Sequence, residues 1–182
     1  VADLAALAAG SITVPIYPTL PPDRIRYILA DAGVSTVIVS NHEQAQKVHS
    51  ILSKLSKLRR MIVIDAESTE IGSDSVSVDE FSFAEVEEIG HRRLMQEDGL
   101  ARDFKETAAS VLDDQLATII YTSGTTGDPK GVMLTHGAIV ANIVDGDTMI
   151  TLTDADEALS FLPLCHALER QVAYLYLYKG VS

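Results

Sequence analysis

The residues from 121 to 136 combine glycines, hydroxyl side chains and a lysine in one short stretch. Gly124, Gly127 and Gly131 allow the backbone to approach a ligand closely and to adopt conformations that other residues disfavour. Successive N–H groups of such a loop form a concave surface that binds anions, and Lys130 adds a mobile positive charge. The stretch therefore predicts a cradle for a polyphosphate. Its hydroxyl donors are Thr122, Ser123, Thr125 and Thr126.

The spacing separates this loop from two common nucleotide-binding patterns. Lys130 is followed by Gly131 and not by Ser or Thr, so the stretch is not a Walker A sequence, and its glycines do not form GxGxxG. Instead, Tyr121-Thr-Ser-Gly-Thr-Thr-Gly-Asp-Pro-Lys-Gly-Val132 resembles the phosphate-loop signature of the adenylate-forming, or AMP-binding, superfamily. That superfamily includes acyl-CoA synthetases, peptide-synthetase adenylation domains and luciferases. A flexible Gly/Thr turn is the alternative, which the agreement of glycine, hydroxyl and lysine positions disfavours.

Two further stretches carry the same resemblance. Gly10 to Pro18 (GSITVPIYP) is similar to the entry of the family's N-terminal domain. Phe161 to Arg170 (FLPLCHALER) resembles the motif beside the acyl pocket of long-chain fatty acyl-CoA synthetases. The resemblance therefore favours the long-chain branch. The matching residues are Leu162, Pro163, Leu164, His166, Glu169 and Arg170.

The family reaction joins a carboxylate to ATP and then to coenzyme A. By resemblance, the loop holds the β- and γ-phosphates with Mg²⁺ bridging them, Thr122 approaches the metal, and Lys130 and His166 serve the adenylation step. The implied nucleotide-binding residues are Thr122, Ser123, Gly124, Thr125, Thr126, Gly127 and Lys130.

Two parts of the acyl-pocket motif keep a second interpretation. Without the resemblance, His166 reads as a histidine at a helix N-terminus that bonds the backbone. With it, His166 borders the site where the carboxylate meets the α-phosphate and shapes that site more than it transfers protons. Glu169 and Arg170 equally fit a solvated helix face.

The resemblance covers the chain but only part of the family's architecture. We expect residues 1–182 to be an internal part of the N-terminal domain, since the sequence lacks the downstream adenine and ribose motifs and the C-terminal domain with its lysine. We expect such a piece to be inactive alone and to self-associate through exposed sheet edges. The alternatives are a ligase for an aryl or amino acid, a non-catalytic nucleotide-binding module and a plain structural domain.

Composition limits the partners. The 182 residues are 47% hydrophobic and 22% charged, with a net charge of −12. From Asp65 to Asp114 there are fifteen acidic and four basic residues, so this segment carries most of the surplus. Nucleic acid is therefore disfavoured as a partner.

The single cysteine, Cys165, favours the cytoplasm. No apolar run approaches the roughly 18 residues of a membrane span, while a long-chain substrate is compatible with peripheral contact at the inner face of a membrane.

The elements that position these residues alternate between strand and helix patterns. They predict an α/β fold with a layered, mostly parallel sheet flanked by helices, and place the phosphate loop at the carboxyl end of a parallel strand. Residues 1–64 form βα units, 65–114 an acidic helical connection, and 115–182 the phosphate loop and acyl-pocket motif. The predicted strands are 11–17, 36–39, 61–64, 116–121, 132–135 and 158–161. The predicted helices are an amphipathic one near the N-terminus and 23–32, 41–55, 80–97, 136–149 and 167–178.

Overall fold

The chain divides into two units in a computed structural model, which describes residues 1–66, 78–122 and 127–181. One unit is Pro18–Asp103, and the other joins Val1–Tyr17 to Phe104–Ser182. The first contains a three-stranded parallel sheet, and the second contains an antiparallel strand pair. The predicted α/β class, with a parallel sheet flanked by helices, is confirmed.

The first half of the Pro18–Asp103 unit follows the predicted strand and helix pattern closely. Helix α2 (Pro22–Asp31) has proline at its start, where a missing N–H costs nothing, and it buries Ile25, Ile28 and Leu29. Helix α3 (His42–His49) is capped by Asn41, whose side chain accepts a hydrogen bond from Gln44 N at 3.1 Å. The predicted continuation to residue 55 is replaced by a separate 3₁₀ turn at Leu52–Lys54.

The sheet of this unit consists of β1 (Thr36–Asn41), β2 (Arg60–Asp65) and β3 (Asp79–Ser82), all parallel and in that order. Met61 and Val63 of the central strand are buried, and α3 and the helix that follows β3 pack on the sheet. Strand β3 was not predicted, because its four residues read as the start of the following helix. That helix, α4 (Phe83–Gln96), begins instead after a capping box between Ser82 and Glu85.

A second exposed helix follows α4. Helix α5 (Leu100–Ala109) has no buried residue and begins after Gly99, whose φ is +90°. Residues 65–114 were predicted to be an acidic helical connection, and α5 is one helix within that segment.

The other unit is built around a hairpin. Strands β4 (Leu116–Thr122) and β5 (Lys130–Thr135) pair antiparallel. Helix α6 (His136–Met149) follows directly, with Thr135 as its cap. Helix α7 (Ala167–Lys179) packs on α6, and Lys179 forms an ion pair with Asp147 at 2.7 Å. The N-terminal helix α1 (Ala2–Ala8) belongs to the same unit.

Three predictions about this unit are wrong or only partly right. Residues 11–17 form no extended strand, and only Thr13 makes a β-bridge, parallel to Thr118. Residues 158–161 are not a strand, and the apolar side chains of Leu159 and Phe161 are 82% and 75% exposed. Strand β4 has a parallel neighbour only at Thr13, so the loop that follows it connects antiparallel strands.

Candidate functional site

The hairpin carries the predicted phosphate loop at the end where β4 is connected to β5. Thr122 is the last residue of β4, Lys130 is the first residue of β5, and the two are direct partners across the hairpin. Both are exposed. The structure therefore places the predicted metal-approaching hydroxyl residue opposite the predicted phosphate-binding lysine. Four other predicted nucleotide-binding residues lie outside the described part of the chain. They are Ser123, Gly124, Thr125 and Thr126.

Gly127 begins the return to β5. Its φ is +115°, a conformation that side-chain-bearing residues rarely adopt, and no atom of the described residues lies within 4 Å of where a Cβ would stand. Glycine is therefore needed here for the backbone and not for space.

Strand β4 is fixed firmly behind the loop. Thr13 donates its backbone N–H to Ala117 O at 3.0 Å, and Ile119 N donates to Thr13 O at the same distance. The Thr118 hydroxyl also donates to Thr13 O at 2.8 Å. Ala117 and Thr118 are almost fully buried. The end of the strand at Thr122 thus extends from a rigid base.

His166 lies on a different element from the loop. It is the N-cap of α7, and its exposed ring accepts a hydrogen bond at Nδ1 from Leu168 N at 3.3 Å. This is the helix-start geometry of the first of the two interpretations of His166. The role of His166 at an adenylation site stays a prediction.

Glu169 and Arg170 are not on a solvated face, so that interpretation is wrong. Both are buried in the first turn of α7, with 6% and 5% of their surfaces exposed. Glu169 accepts a hydrogen bond from the Ser160 hydroxyl at 2.5 Å. Two adjacent charged residues in a helix normally indicate a surface, and their partners are too distant in sequence to form a readable pattern.

Arg170 is the centre of a buried polar cluster that the sequence did not reveal. Its Nη2 donates to Asp3 at 2.7 Å and to the Thr13 hydroxyl at 2.6 Å, while Nη1 donates to the Thr118 hydroxyl at 2.7 Å. Its Nε donates to Tyr174 Oη at 2.8 Å. A guanidinium has donors enough for all four partners, so its burial is compensated.

Tyr174 completes this cluster. Its hydroxyl donates to Asp3, and its ring lies under the Arg170 guanidinium, with 5.5 Å between Cζ and the ring centroid. Burial first, and then the bond to Asp3, raise the pKa of Tyr174 to about 12, against the opposing effect of Arg170. The phenol therefore stays protonated and keeps donating over the whole physiological range.

The donor set fits Mg²⁺ only together with a nucleotide. Within residues 1–66, 78–122 and 127–181, no three His, Cys, Asp or Glu side chains are grouped to hold a metal. Thr122 offers one hydroxyl oxygen at the last position of β4, where the loop begins. Mg²⁺ commonly takes one or two protein ligands and fills its remaining positions with phosphate oxygens and water. A metal that arrives bound to phosphates fits these residues.

The loop before α7 presents apolar side chains to the outside. Phe161 and Leu164 are 75% and 60% exposed, and Leu168 in the first helical turn is also exposed. Neighbouring exposed apolar residues of this kind often mark a contact surface. None of the described helices is both long and apolar enough to cross a bilayer.

The chain is similar to known proteins over its whole length. A sequence profile of the family described as "AMP-binding enzyme" matches residues 1–182. The chain is 31% identical over 182 residues to "Long chain acyl-CoA synthetase 6, peroxisomal" of Arabidopsis thaliana, covering 100% of this chain and 24% of that protein. It is 32% identical over 189 residues to "Long-chain-fatty-acid--CoA ligase 6" of Homo sapiens, covering 99% and 26%. The chain thus spans about a quarter of these relatives.

The fold is shared with solved structures. A long-chain-fatty-acid-CoA ligase from Archaeoglobus fulgidus superposes with a TM-score of 0.69 at 22% identity, over 100% of this chain and 31% of that one. At this identity the likeness establishes the fold.

Proposed function

The chain belongs to the AMP-binding enzyme family, and we propose that the full-length protein containing it is an ATP-dependent ligase that joins a long-chain fatty acid to coenzyme A. In the first step, a carboxylate oxygen of the fatty acid attacks the α-phosphorus of ATP, and pyrophosphate leaves. In the second, the sulfur of coenzyme A attacks the carbonyl carbon of the acyl-adenylate, and AMP leaves. The similarity to proteins that are named long-chain acyl-CoA synthetases or ligases supports this substrate class.

The observation that carries the proposal is the pairing of Thr122 with Lys130 across the hairpin. The ammonium of Lys130 supplies positive charge beside the loop, where phosphate charge shifts onto the departing pyrophosphate. Gly127, in its glycine-only conformation, lets the backbone N–H groups approach the phosphates. The Thr122 hydroxyl would help to hold Mg²⁺ that arrives with the nucleotide, and the ion would supply further charge neutralisation when bound. These residues bind and orient the nucleotide, and most of the rate enhancement comes from positioning and electrostatics.

The segment before α7 supports a fatty substrate over an amino acid. Its side chains Phe161, Leu162 and Leu164 are exposed and apolar. An alkyl chain packed against such side chains gains roughly 0.8 kcal/mol for each buried methylene group. His166, at the end of this segment, shapes the place where the carboxylate meets the α-phosphate.

The expected location follows from the same chemistry. We place the protein in a reducing interior, the cytoplasm, because Cys165 is the single cysteine of residues 1–182 and has no disulfide partner within this segment. The expected partners are ATP, the fatty acid and coenzyme A, with peripheral contact at the inner face of a membrane where fatty acids partition.

The test is carboxylate-dependent exchange of labelled pyrophosphate into ATP, measured on the full-length protein with fatty, aromatic and amino acids. We expect exchange with long fatty acids, and a loss of about a hundredfold or more in Lys130→Ala. Lys105→Ala, which removes an exposed lysine of α5, is the matched control. Exchange that is unchanged in Lys130→Ala contradicts the phosphate-binding role. Exchange only with aromatic or amino acids replaces the substrate, and Mg-dependent ATP binding without any exchange indicates a non-catalytic module.

A further inference from the structure

Glu169 and Arg170 are adjacent buried charges whose hydrogen bonds run in two different directions. We infer that Arg170 is a positioning residue of the proposed ligase, which fixes the start of α7 against β4 and thereby sets the acyl-pocket segment relative to the phosphate loop. Glu169 assists by closing the segment at its base. The inference rests on the proposed function, because that function assigns the segment before α7 to the fatty acid and the loop after β4 to ATP.

Arg170 reaches the strand that leads to the phosphate loop. Its Nη1 donates to Thr118 Oγ1 at 2.7 Å, and this contact is buried. Thr118 lies four residues before Thr122 in the same strand. Because β4 is held on both sides, by β5 and by the Thr13 bridge, the contact with Thr118 ties α7 to a strand whose position is fixed as far as the loop.

Arg170 also sets the direction of the segment that ends at His166. Its backbone N–H donates to His166 O at 3.1 Å, which closes the first turn of α7. His166 is therefore one helical turn from the guanidinium anchor. A chain of hydrogen bonds thus runs from His166 through Arg170 to Thr118.

The segment between Ser160 and Glu169 is tied at its base. The Ser160 hydroxyl donates to Glu169 Oε1 at 2.5 Å across nine residues. Within this closed segment, His166 N donates to Pro163 O at 2.8 Å, forming a turn. The apolar side chains of Phe161 and Leu164 project outward from it. The base is ordered by buried polar bonds while the side chains remain available for a substrate.

Fixed geometry explains the choice of arginine better than stability does. The ion pair between Arg170 and Asp3 is only partly buried, since 42% of the Asp3 side chain is exposed, and such pairs contribute little net stability. The planar guanidinium instead fixes several partners in set directions, and here it holds Asp3 of α1 and Thr118 of β4 at once. Lysine in its place keeps the charge but lacks the planar set of N–H donors that contacts several partners at once.

The test compares Arg170→Lys and Thr118→Val with the wild-type full-length protein in fatty-acid-dependent pyrophosphate exchange, with rates divided by the amount of folded protein. Misalignment of the carboxylate and the α-phosphate lowers kcat, since a displacement of about 1 Å costs on the order of a hundredfold. We expect kcat to fall tenfold or more in both variants while the KM for ATP stays within twofold. Thr118→Ser, which keeps the hydroxyl, is expected to restore kcat.

The controls separate this role from simple folding defects. Arg102→Lys changes an exposed arginine that contacts Asp103 at 3.1 Å and is expected to leave kcat unchanged. If Arg170→Lys does not fold, Thr118→Val decides alone, because it removes only the Thr118 hydroxyl, which accepts from Arg170 and donates to Thr13 O. An unchanged kcat per folded molecule in Thr118→Val overturns the inference while the proposed function stands. If the wild-type protein shows no fatty-acid-dependent exchange, the proposed function fails and this inference fails with it.

Discussion

Gly131 on β5 lies so close to Ile119 on β4 that a Cβ atom at Gly131 would stand 2.7 Å from Ile119 Cγ2. The ring of Tyr121, the direct partner of Gly131 in the hairpin, would lie 3.2 Å away at Cζ. Both groups belong to the strand that leads into the phosphate loop. Packing therefore leaves no room for a side chain at position 131, although the φ of Gly131 is ordinary for any residue.

We expect Gly131→Ala to destabilise the protein by about 1–3 kcal/mol, the usual cost of overpacking. The measurement is the free energy of unfolding in urea. Gly90→Ala is the matched control, because Gly90 lies inside α4 with no atom within 4 Å of its Cβ position. That control should gain about 0.5–1 kcal/mol, since alanine restricts the unfolded chain and favours helix. Equal stability of Gly131→Ala and the wild-type protein would contradict the described packing.

Gly127 differs from Gly131 in its physical reason for being glycine. Its φ of +115° strains any L-residue, and none of the described neighbours would touch a methyl group there. We expect Gly127→Ala to cost on the order of 1–3 kcal/mol of local strain, which the loop relieves by changing its backbone path. In the full-length protein this should raise the KM for ATP several-fold more than the KM for the fatty acid. A larger rise for the fatty acid would argue against Gly127 as part of the nucleotide loop.

Local patterns in the sequence were enough for the regular elements. The helix from His136 to Met149 was predicted with the bounds that the structure has, and in the structure Thr135 caps it. The predicted strand at residues 158–161 failed because an apolar run becomes a strand only with a hydrogen-bonding neighbour. Strand β3 was missed for the opposite reason, since its pairing with β2 outweighs the weak strand propensity of Asp79 and Glu80.

The candidate site was predictable only where its chemistry is continuous in sequence. Thr122 and Lys130 were found because one motif contains both. The buried cluster was not found, because Arg170 and Asp3 are 167 residues apart and neither has a local signature for burial. Charged residues are seldom buried without partners, and partners supplied by tertiary structure cannot be read from spacing.

The capping box of α4 links stability to acid. The Ser82 hydroxyl accepts from Glu85 N at 3.1 Å, and Glu85 Oε2 accepts from Ser82 N at 2.7 Å. The Ser82 backbone bond, followed by the Ser82 side-chain bond, lowers the pKa of Glu85 from its usual 4.5. We expect Ser82→Ala to lose about 1 kcal/mol at neutral pH, as for other N-caps, measured as the free energy of unfolding.

Glu85→Gln tests the titration within this cap. Because the folded-state pKa is depressed, the stabilising effect of the charged carboxylate is present above the unfolded-state pKa and is lost as the pH falls through the folded-state value. The stability difference between the wild-type protein and Glu85→Gln should therefore shrink below about pH 4.5. Glu87→Gln, on the same exposed helix, is the control. A difference that stays constant down to acid unfolding would show that the charge of Glu85 is not used by the cap.

Tyr174 gives the opposite pH dependence at the alkaline end. Its pKa is raised to about 12 from the usual 10.0 by burial and by donation to Asp3. The folded state therefore holds this proton more tightly than the unfolded state. The resulting stabilisation is complete below about pH 10 and is lost as the pH rises through about 12. Tyr174→Phe lacks the proton and the hydrogen bond, so it should be less stable near neutral pH and change less across this alkaline range.

The measurement is the difference in unfolding free energy between the wild-type protein and Tyr174→Phe, followed from neutral pH to the limit of reversible unfolding. We expect the difference to narrow above about pH 10, since only the wild-type protein must keep a buried phenol protonated. Tyr178→Phe removes a hydroxyl from a side chain that is 65% exposed on the same helix, and its difference curve should stay flat. If the unfolding free energies of Tyr174→Phe and the wild-type protein change in parallel with pH, Asp3 accepts no hydrogen bond from the Tyr174 hydroxyl. The cluster that holds Arg170 would then rest on the guanidinium alone.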